Sequence, residues 1–140
     1  MEEIRKTNRQ IVDEWQRIID SKVFDDLETV EAADVQNINP SGTFIGMVAH
    51  KQMLTAFAIA FPNYLHDNFN FVEQGEWIAM EGNFTGDHLG TLTMGRQTLG
   101  PTKNKIAFPY CGFIKVKDGK VTENHLYYDS KIFLSQLELS

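Results

Sequence analysis

The first twenty residues carry apolar positions with the spacing of an amphipathic α-helix. Charged residues such as Arg9 and Asp13 fall on the other faces. The apolar positions are separated by 7, 1, 3, 3 and 1 residues, at Ile4, Ile11, Val12, Trp15, Ile18 and Ile19. This spacing predicts a helix from about Glu3 to Asp20. The segment 25–27 predicts a short second helix, and the Asn-, Pro- and Gly-containing segment 37–42 predicts a turn.

A third helix is predicted from about Met47 to Phe61. Its apolar positions stack at i, i+4, i+7 and i+8, and a proline follows directly after the last of them, at Met53, Phe57, Ala60, Phe61 and Pro62. Because proline cannot continue a helix, it marks the end of this one.

Beyond residue 62 the apolar period changes from 3.6 to 2, which is typical of strands. Alternating positions occur at Phe69 and Phe71, then at 78, 80, 82 and 84, and again from 108 to 116. The dipeptide Asp118-Gly119 predicts a tight hairpin turn, because these residues accept positive φ angles. The partner strand covers 121–128, and a last short helix holds Ile132, Phe133 and Leu137.

Helices followed by four or five antiparallel strands predict an α+β domain. A strongly twisted antiparallel sheet curls around helices placed on one of its faces. Where the helices do not fill the concavity, an apolar cavity stays open at one end. The predicted architecture therefore includes a pocket.

Composition narrows the class of protein. The chain has 140 residues, 42% of them hydrophobic and 11% aromatic, which suits one domain over 1–140. A net charge of −6 without a basic cluster argues against nucleic-acid or membrane partners. Cys111 is the only cysteine, so no internal disulfide can form, and we expect it to be a small buried hydrophobe. The charged N-terminus is no signal peptide, and a cytoplasmic location is expected.

Several short words along the chain are similar to those of one family. They occur in order as Ala60-Phe61-Pro62-Asn63, Gly75-Glu76-Trp77, Gly86-Asp87-His88-Leu89-Gly90, Gly100-Pro101-Thr102, Asp118-Gly119-Lys120-Val121, Asp129 and Leu134-Ser135-Gln136-Leu137. Their order and spacing resemble the SnoaL-like polyketide cyclases (ester cyclases), over nearly the whole chain. The resemblance implies a cone-shaped α+β barrel, with helices in a strongly curved antiparallel sheet and a short C-terminal helix. Ketosteroid isomerase and nuclear-transport-factor-like proteins share this cone.

The resemblance also implies a chemistry, from which this chain departs. SnoaL-like cyclases close a ring by intramolecular aldol condensation, without cofactor or metal. They use an aspartate near the end of the last strand and a histidine on the neighbouring strand. Here the position of that aspartate holds Leu126, and the histidine would fall near Gly112. The fold is therefore expected to carry over, but the catalytic groups are not.

Side-chain alternation and family position together predict the pocket lining. Asn124 and Tyr128 share the parity of Leu126, while Phe108 and Tyr110 share that of Gly112. The predicted binding set is Trp15, His50, Met53, Phe57, Met80, Phe84, Phe108, Tyr110, Asn124, Leu126 and Tyr128. His50 has an alternative interpretation, since a lone histidine on an apolar helix face is more often a core residue.

His88 is the first candidate for a catalytic base. It shares the inward parity of Met80 and Phe84, and a histidine exchanges protons near neutral pH. The alternative is a histidine that hydrogen-bonds a loop at the rim of the cone. Asp129 is the reserve candidate, although an Asp before a helix more often caps it. His66 is expected only to form a loop pair with Asp67.

Three functions stay open from the sequence. The first is a cofactor-free cyclase or isomerase acting on an apolar molecule, with Tyr110, Tyr128 or Asn124 donating to a developing enolate oxygen. The second is a small-molecule-binding protein, and the third is a dimeric scaffold. The four histidines have no metal-ligand spacing, so no metal is expected. Trp77 and Phe113, on the outer face by parity, predict a homodimer or homotetramer.

Overall fold

A computed structural model describes residues 5–138 of the chain. It confirms the mixed α+β fold, with helices in the hollow of a curved sheet. The helices are α1 (Asn8–Ser21), α2 (Met47–Ala60) and α3 (Ser130–Leu137), with a 3-10 turn at Phe24–Thr29. The strands are β1 (Glu31–Asn39), β2 (Gly42–Ile45), β3 (Leu65–Gln74), β4 (Trp77–Asp87), β5 (Leu92–Met94), β6 (Gln97–Leu99), β7 (Lys105–Lys117) and β8 (Lys120–Tyr128).

The first helix is confirmed, but it begins later than predicted. Thr7 caps it: its side-chain oxygen accepts from the backbone N–H of Gln10, whose own side chain accepts from the Thr7 backbone N–H. This capping box satisfies N–H groups that have no partner within the helix. The apolar stripe from Ile11 to Ile19 is buried as predicted, whereas Glu3 and Ile4 lie outside the described residues.

The main sheet has six strands in the order β2-β1-β8-β7-β4-β3. All neighbouring pairs are antiparallel except β1 and β8, which run parallel. The prediction of a wholly antiparallel sheet of four or five strands was therefore wrong. Strands β1 and β2, for which the sequence predicted only the turn at 37–42, form one edge of the sheet. The Asp118-Gly119 hairpin and the short helix α3 are as predicted.

Breaks in register bend the sheet into a hollow. They occur on β3 between Phe69 and Val72, on β8 between Val121 and Glu123, and on β1 between Glu31 and Gln36. Such irregularities increase local twist and turn a strand's edge. The concave face packs on the buried stripe of α1 and on α2, and this interface forms most of the core.

The convex face of the sheet leaves large side chains exposed. Phe113 and Tyr127 are 46% and 48% exposed, with ring centroids 6.4 Å apart. Trp77 lies against His125 on the same face. Cys111 is also exposed, so the expectation that it is buried was wrong. The physical reason is alternation, because Cys111 points away from the inward-facing residues on either side of it.

Candidate functional site

An apolar pocket lies between α2 and the concave face of the sheet. Its cavity volume is about 90 Å³. Residues from β1, α2, β3, β4, β7 and β8 line it, together with Tyr64 from the segment before β3. They are Asn39, Met53, Leu54, Phe57, Tyr64, His66, Phe84, Phe108, Tyr110, Leu126 and Tyr128.

Most of the predicted lining stands around this pocket. The residues that do so are Met53, Phe57, Phe84, Phe108, Tyr110, Leu126 and Tyr128. Trp15, His50 and Met80 are instead buried in the core, and Asn124 contacts Asn37. The expectation that these four line the pocket is corrected, because the helices fill the closed end of the cone. The pocket also has four lining residues that the sequence did not predict: Asn39, Leu54, Tyr64 and His66.

His66 forms a dyad with Asp20 at the wall of the pocket. The Nδ1 of His66 lies 2.7 Å from Oδ1 of Asp20, and the His66 backbone N–H donates to Oδ2 at 3.2 Å. Asp20 comes from the last turn of α1, and His66 from the start of β3. Because a carboxylate accepts, Nδ1 is the donor, so a neutral ring carries its lone pair on Nε2. The expected loop pair with Asp67 was wrong.

Aromatic rings fix the orientation of the His66 ring. Its centroid lies 4.9 Å from that of Phe84, 5.6 Å from Tyr110 and 5.7 Å from Tyr64, all edge to face. The side chains of His66 and Asp20 are only 15% and 19% exposed. No residue in the described range 5–138 hydrogen-bonds Nε2 of His66, so a ligand need not displace a protein partner from this atom.

The hydroxyl of Tyr110 is committed to a polar relay at the same wall. It donates to Oδ1 of Asn68, and Nδ2 of Asn68 donates to Oε1 of Gln16 at 3.0 Å. Burial raises the pKa of Tyr110, and the nearby carboxylates of Asp20 and Asp67 raise it further. Tyr110 therefore stays protonated, with its proton directed to Asn68 and not to a ligand.

Two other polar groups face the pocket, Tyr128 from β8 beside Tyr110 and Asn39 from β1. The Tyr128 hydroxyl donates to no residue in the part of the chain that the structure describes, and burial raises its pKa. Nδ2 of Asn39 contacts only the sulfur of Met53, at 3.4 Å, which is a weak acceptor. Tyr128 is therefore the strongest donor available to a ligand oxygen.

His88 lies away from the pocket. It follows the last residue of β4 and is fully buried, with its ring 5.3 Å from that of Phe61. Its Nδ1 accepts from the Thr102 backbone N–H at 3.1 Å and contacts the Thr102 hydroxyl at 2.9 Å. Burial lowers its pKa, partly offset by the carbonyl of Gly90. Side-chain alternation turns the His88 ring inward as predicted, but the ring contacts Thr102 and Phe61 and does not line the pocket. The prediction that His88 is the catalytic base is therefore corrected.

Asp129 is also outside the pocket and caps α3. Its Oδ1 accepts from the backbone N–H groups of Lys131 and Ile132, at 2.9 and 3.3 Å. The alternative interpretation of Asp129 as a helix cap thus describes its contacts. Leu126, at the position where the resemblance implied an aspartate, faces the pocket with its apolar side chain.

A buried polar cluster stands beneath the pocket floor. Oε1 of Glu31 accepts from the Trp15 indole N–H at 2.9 Å and contacts Nδ1 of His50 at 2.7 Å. All three side chains are almost completely buried. Glu31 was not among the predicted site residues, because no strand was predicted where β1 begins. His50 is therefore a satisfied core residue, as its alternative interpretation stated.

Among residues 5–138, no group of three or more His, Cys, Asp and Glu side chains is arranged to hold a metal ion. None of the helices there has the length and apolar character needed to cross a membrane.

Comparison with known proteins gives one family. The sequence model of the SnoaL-like polyketide cyclases matches residues 9–137. No curated protein is significantly similar in sequence to the chain.

Solved structures share the fold at low identity. A candidate SnoaL-like polyketide cyclase from Jannaschia sp. CCS1 is 16% identical, with 99% of each chain covered and a TM-score of 0.80. IdmH, a candidate polyketide cyclase from Streptomyces antibioticus, is 15% identical, with 96% of this chain and 100% of IdmH covered and a TM-score of 0.80. A protein with a ketosteroid isomerase-like fold from Catenulispora acidiphila DSM 44928, in complex with trimethylamine, is 19% identical, with 96% of each chain covered and a TM-score of 0.76.

Proposed function

Because the chain belongs to the SnoaL-like polyketide cyclase family, we propose that it catalyses a cofactor-independent acid/base reaction on an apolar, ring-containing carbonyl compound. The observation that carries this proposal is the Asp20–His66 dyad on the wall of an apolar pocket. A histidine held by a carboxylate is a common general base, since the carboxylate stabilises the imidazolium that forms. His66 replaces His88 and Asp129 as the proposed base.

The proposed reaction begins with removal of a proton beside a carbonyl group. Nε2 of His66 takes this proton, and Asp20 stabilises the resulting imidazolium. The Tyr128 hydroxyl donates to the developing enolate oxygen, which is the kind of stabilisation that works best in a site without water. In ring closure, the enolate carbon attacks a second carbonyl of the same molecule and forms the new C–C bond. The imidazolium then protonates the resulting alkoxide, which restores the neutral histidine.

The presence of Leu126 on β8 supports a general base that lies on another strand, β3. An apolar residue there leaves β8 without a carboxylate in the pocket, while the dyad reaches the cavity from α1 and β3. The pocket is small, so one ring of a substrate occupies it and the remainder extends toward the opening.

Ligand binding without catalysis is the second candidate function. Leu126 also favours ligand binding without catalysis, because its apolar side chain can neither accept nor donate a proton at this position. The two candidates share the pocket and differ only in whether His66 moves a proton. A measurement that separates binding from exchange therefore decides between them.

The test uses 2-tetralone, a two-ring ketone with exchangeable α-protons. Exchange in D₂O is followed by proton NMR, and binding by ligand-observed NMR. If the proposal holds, the wild type accelerates exchange and His66→Ala slows the accelerated rate by roughly 10²–10⁴-fold, the range for general-base catalysis. Asp20→Asn should slow it less, because the base remains but its orientation is lost.

His125→Ala is the matched control, since His125 pairs with Glu123 on the other face of the sheet. It should leave exchange unchanged. Binding of 2-tetralone without accelerated exchange favours the binding protein. Exchange that survives in His66→Ala refutes His66 as the base.

A further inference from the structure

We propose that Glu31 and Asn37 form a deeper subsite that binds a hydroxyl group of the ligand. The subsite lies under the pocket floor, and it rests on the proposed function only in that the same ligand enters the same pocket. It is separate from the dyad, because Asp20 lies on α1 and His66 on β3, which three strands separate from β1.

Glu31 supplies an acceptor that no described protein group uses. Glu31 is 1% exposed, and its Oε1 already accepts from the Trp15 indole N–H and contacts Nδ1 of His50. Oε2 is buried, and none of residues 5–138 donates to it. Leaving a buried carboxylate oxygen without a partner is costly, so such an atom indicates a place for a donor.

Asn37 supplies a donor that is likewise buried and bonded to no described protein group. It is also 1% exposed, and its Oδ1 accepts from Nδ2 of Asn124 at 3.1 Å. Its Nδ2 is buried and has no acceptor within the described chain. The amide is fixed by its contact with Asn124, so the free N–H group cannot turn to another partner without breaking that bond.

Register places Asn37 one inward position away from the pocket lining. Asn37 pairs with Asn124 across β1 and β8, and the next inward residues on these strands, Asn39 and Leu126, line the cavity. Glu31 lies further down the inner face of β1. The irregularity between Glu31 and Gln36 sets six residues of β1 against three residues of β8, so Glu31 and Asn37 lie opposite Val121 and Asn124, three residues apart on β8.

The floor between pocket and subsite includes a side chain that can move. Met53 lines the cavity, and His50 lies one helical turn before it on α2. Methionine is unbranched and adopts several rotamers at low cost. Its one polar contact is the weak bond from Asn39, so a ligand can displace the side chain and reach the polar layer.

A hydroxyl is the smallest ligand group that satisfies both atoms. It donates to Oε2 of Glu31 and accepts from Nδ2 of Asn37. A carbonyl satisfies only Asn37, and a carboxylate is repelled by Glu31. The geometry thus points to a hydroxylated ring, with its hydroxyl at the closed end of the cone and its reacting carbonyl toward His66. His88, whose Nε2 is also buried without a described partner, is not part of this subsite because it lies behind Phe61.

The test compares 4-ethylphenol with 4-ethyltoluene, which differ only by hydroxyl against methyl. Affinities are measured by NMR titration of the whole chain. The wild type should bind the phenol about tenfold more tightly or better, since the subsite offers one neutral and one charged hydrogen bond. Glu31→Gln and Asn37→Leu should each reduce this preference to roughly twofold or less, with affinity for 4-ethyltoluene unchanged.

His66→Ala is the control that separates this proposal from the previous one. It should keep the preference for the phenol while abolishing α-proton exchange. If His66→Ala loses the preference instead, the hydroxyl binds at the dyad and the subsite is refuted. Equal binding of the two probes by the wild type also refutes it.

A crystal structure of the wild type with 4-ethylphenol keeps the proposal testable if the variants do not fold. The phenol oxygen should lie within about 3.2 Å of both Oε2 of Glu31 and Nδ2 of Asn37. A structural water in that place, with the phenol elsewhere, overturns the subsite.

Discussion

Removing the ring of Phe133 should release the C-terminal helix from the wall of the pocket. Phe133 is 5% exposed, and its ring centroid lies 5.4 Å from that of Phe108, 6.2 Å from Phe57 and 6.3 Å from Tyr128. These three partners all line the cavity. The change Phe133→Ala therefore removes the main apolar anchor of α3 and the support behind three pocket residues.

The size of the effect follows from the burial of the ring. Truncating a buried Phe to Ala costs about 3–5 kcal/mol, and the ring pairs place this site toward the upper end. For a domain of this length, that loss lowers the melting temperature by roughly 10–20 °C. The hydrogen bonds between Gln136 and the backbone of Ala107 are exposed, so they cannot replace the lost packing.

Urea unfolding followed by fluorescence measures the change, with Leu134→Ala as the matched control. Leu134 lies next to Phe133 on the same helix but is 44% exposed, so its truncation should cost less than about 1 kcal/mol. Binding of 2-tetralone should weaken in Phe133→Ala alone. A loss of stability below about 1 kcal/mol in Phe133→Ala, or equal losses in the two variants, would show that Phe133 is not the main anchor of α3.

Three further predictions concern the rim, the buried histidine and the convex face. Gly90→Ala should destabilise by more than about 1 kcal/mol in urea unfolding, because a Cβ there would overlap the carbonyl oxygen of Ile59. Gly100→Ala, whose Cβ would meet no atom within 4 Å, should not destabilise; equal losses would contradict the argument. Burial lowers the pKa of His88 below its ordinary 6.5, so the unfolded chain takes up a proton at higher pH than the folded one. Its contribution is therefore complete above about pH 6.5 and is lost as the pH falls toward the folded-state pKa. Thermal melting of His88→Asn should show a smaller loss between pH 7.5 and 5, and parallel curves would exclude this effect. The homodimer or homotetramer stays a prediction: Phe113→Glu on the convex face should shift the mass found by light scattering to that of a monomer, and an unchanged mass would place any interface elsewhere.

Sequence patterns predicted the elements whose inward residues are apolar. The helix around Trp15 and the strands around Phe84 and Phe108 show clear periods, and each lies where its period placed it. Strand β1 was not predicted, because two of its inward positions are Glu31 and Asn37, which interrupt an apolar period. An apolar period cannot reveal a strand that directs polar side chains into the interior.

The family words identified the fold but not the site. Thr102 hydrogen-bonds His88, and Gln136 hydrogen-bonds the backbone of Ala107. The residues of these short motifs therefore fix loops and α3 against the sheet. Asp20 and His66 are 46 residues apart, and no local pattern joins them. Only the packing of α1 against the start of β3 brings them together, which is why the dyad emerged from the coordinates.

The parallel contact of β1 with β8 also governs how the chain can be made. Glu31 is paired with Val121, so the edge hairpin β1–β2 has no place in the sheet until nearly all of the polypeptide has left the ribosome. At about 5–20 residues per second, this delay is on the order of 5–20 s. During that time the inward carboxylate of Glu31 remains hydrated, and burying it becomes one of the last events of folding.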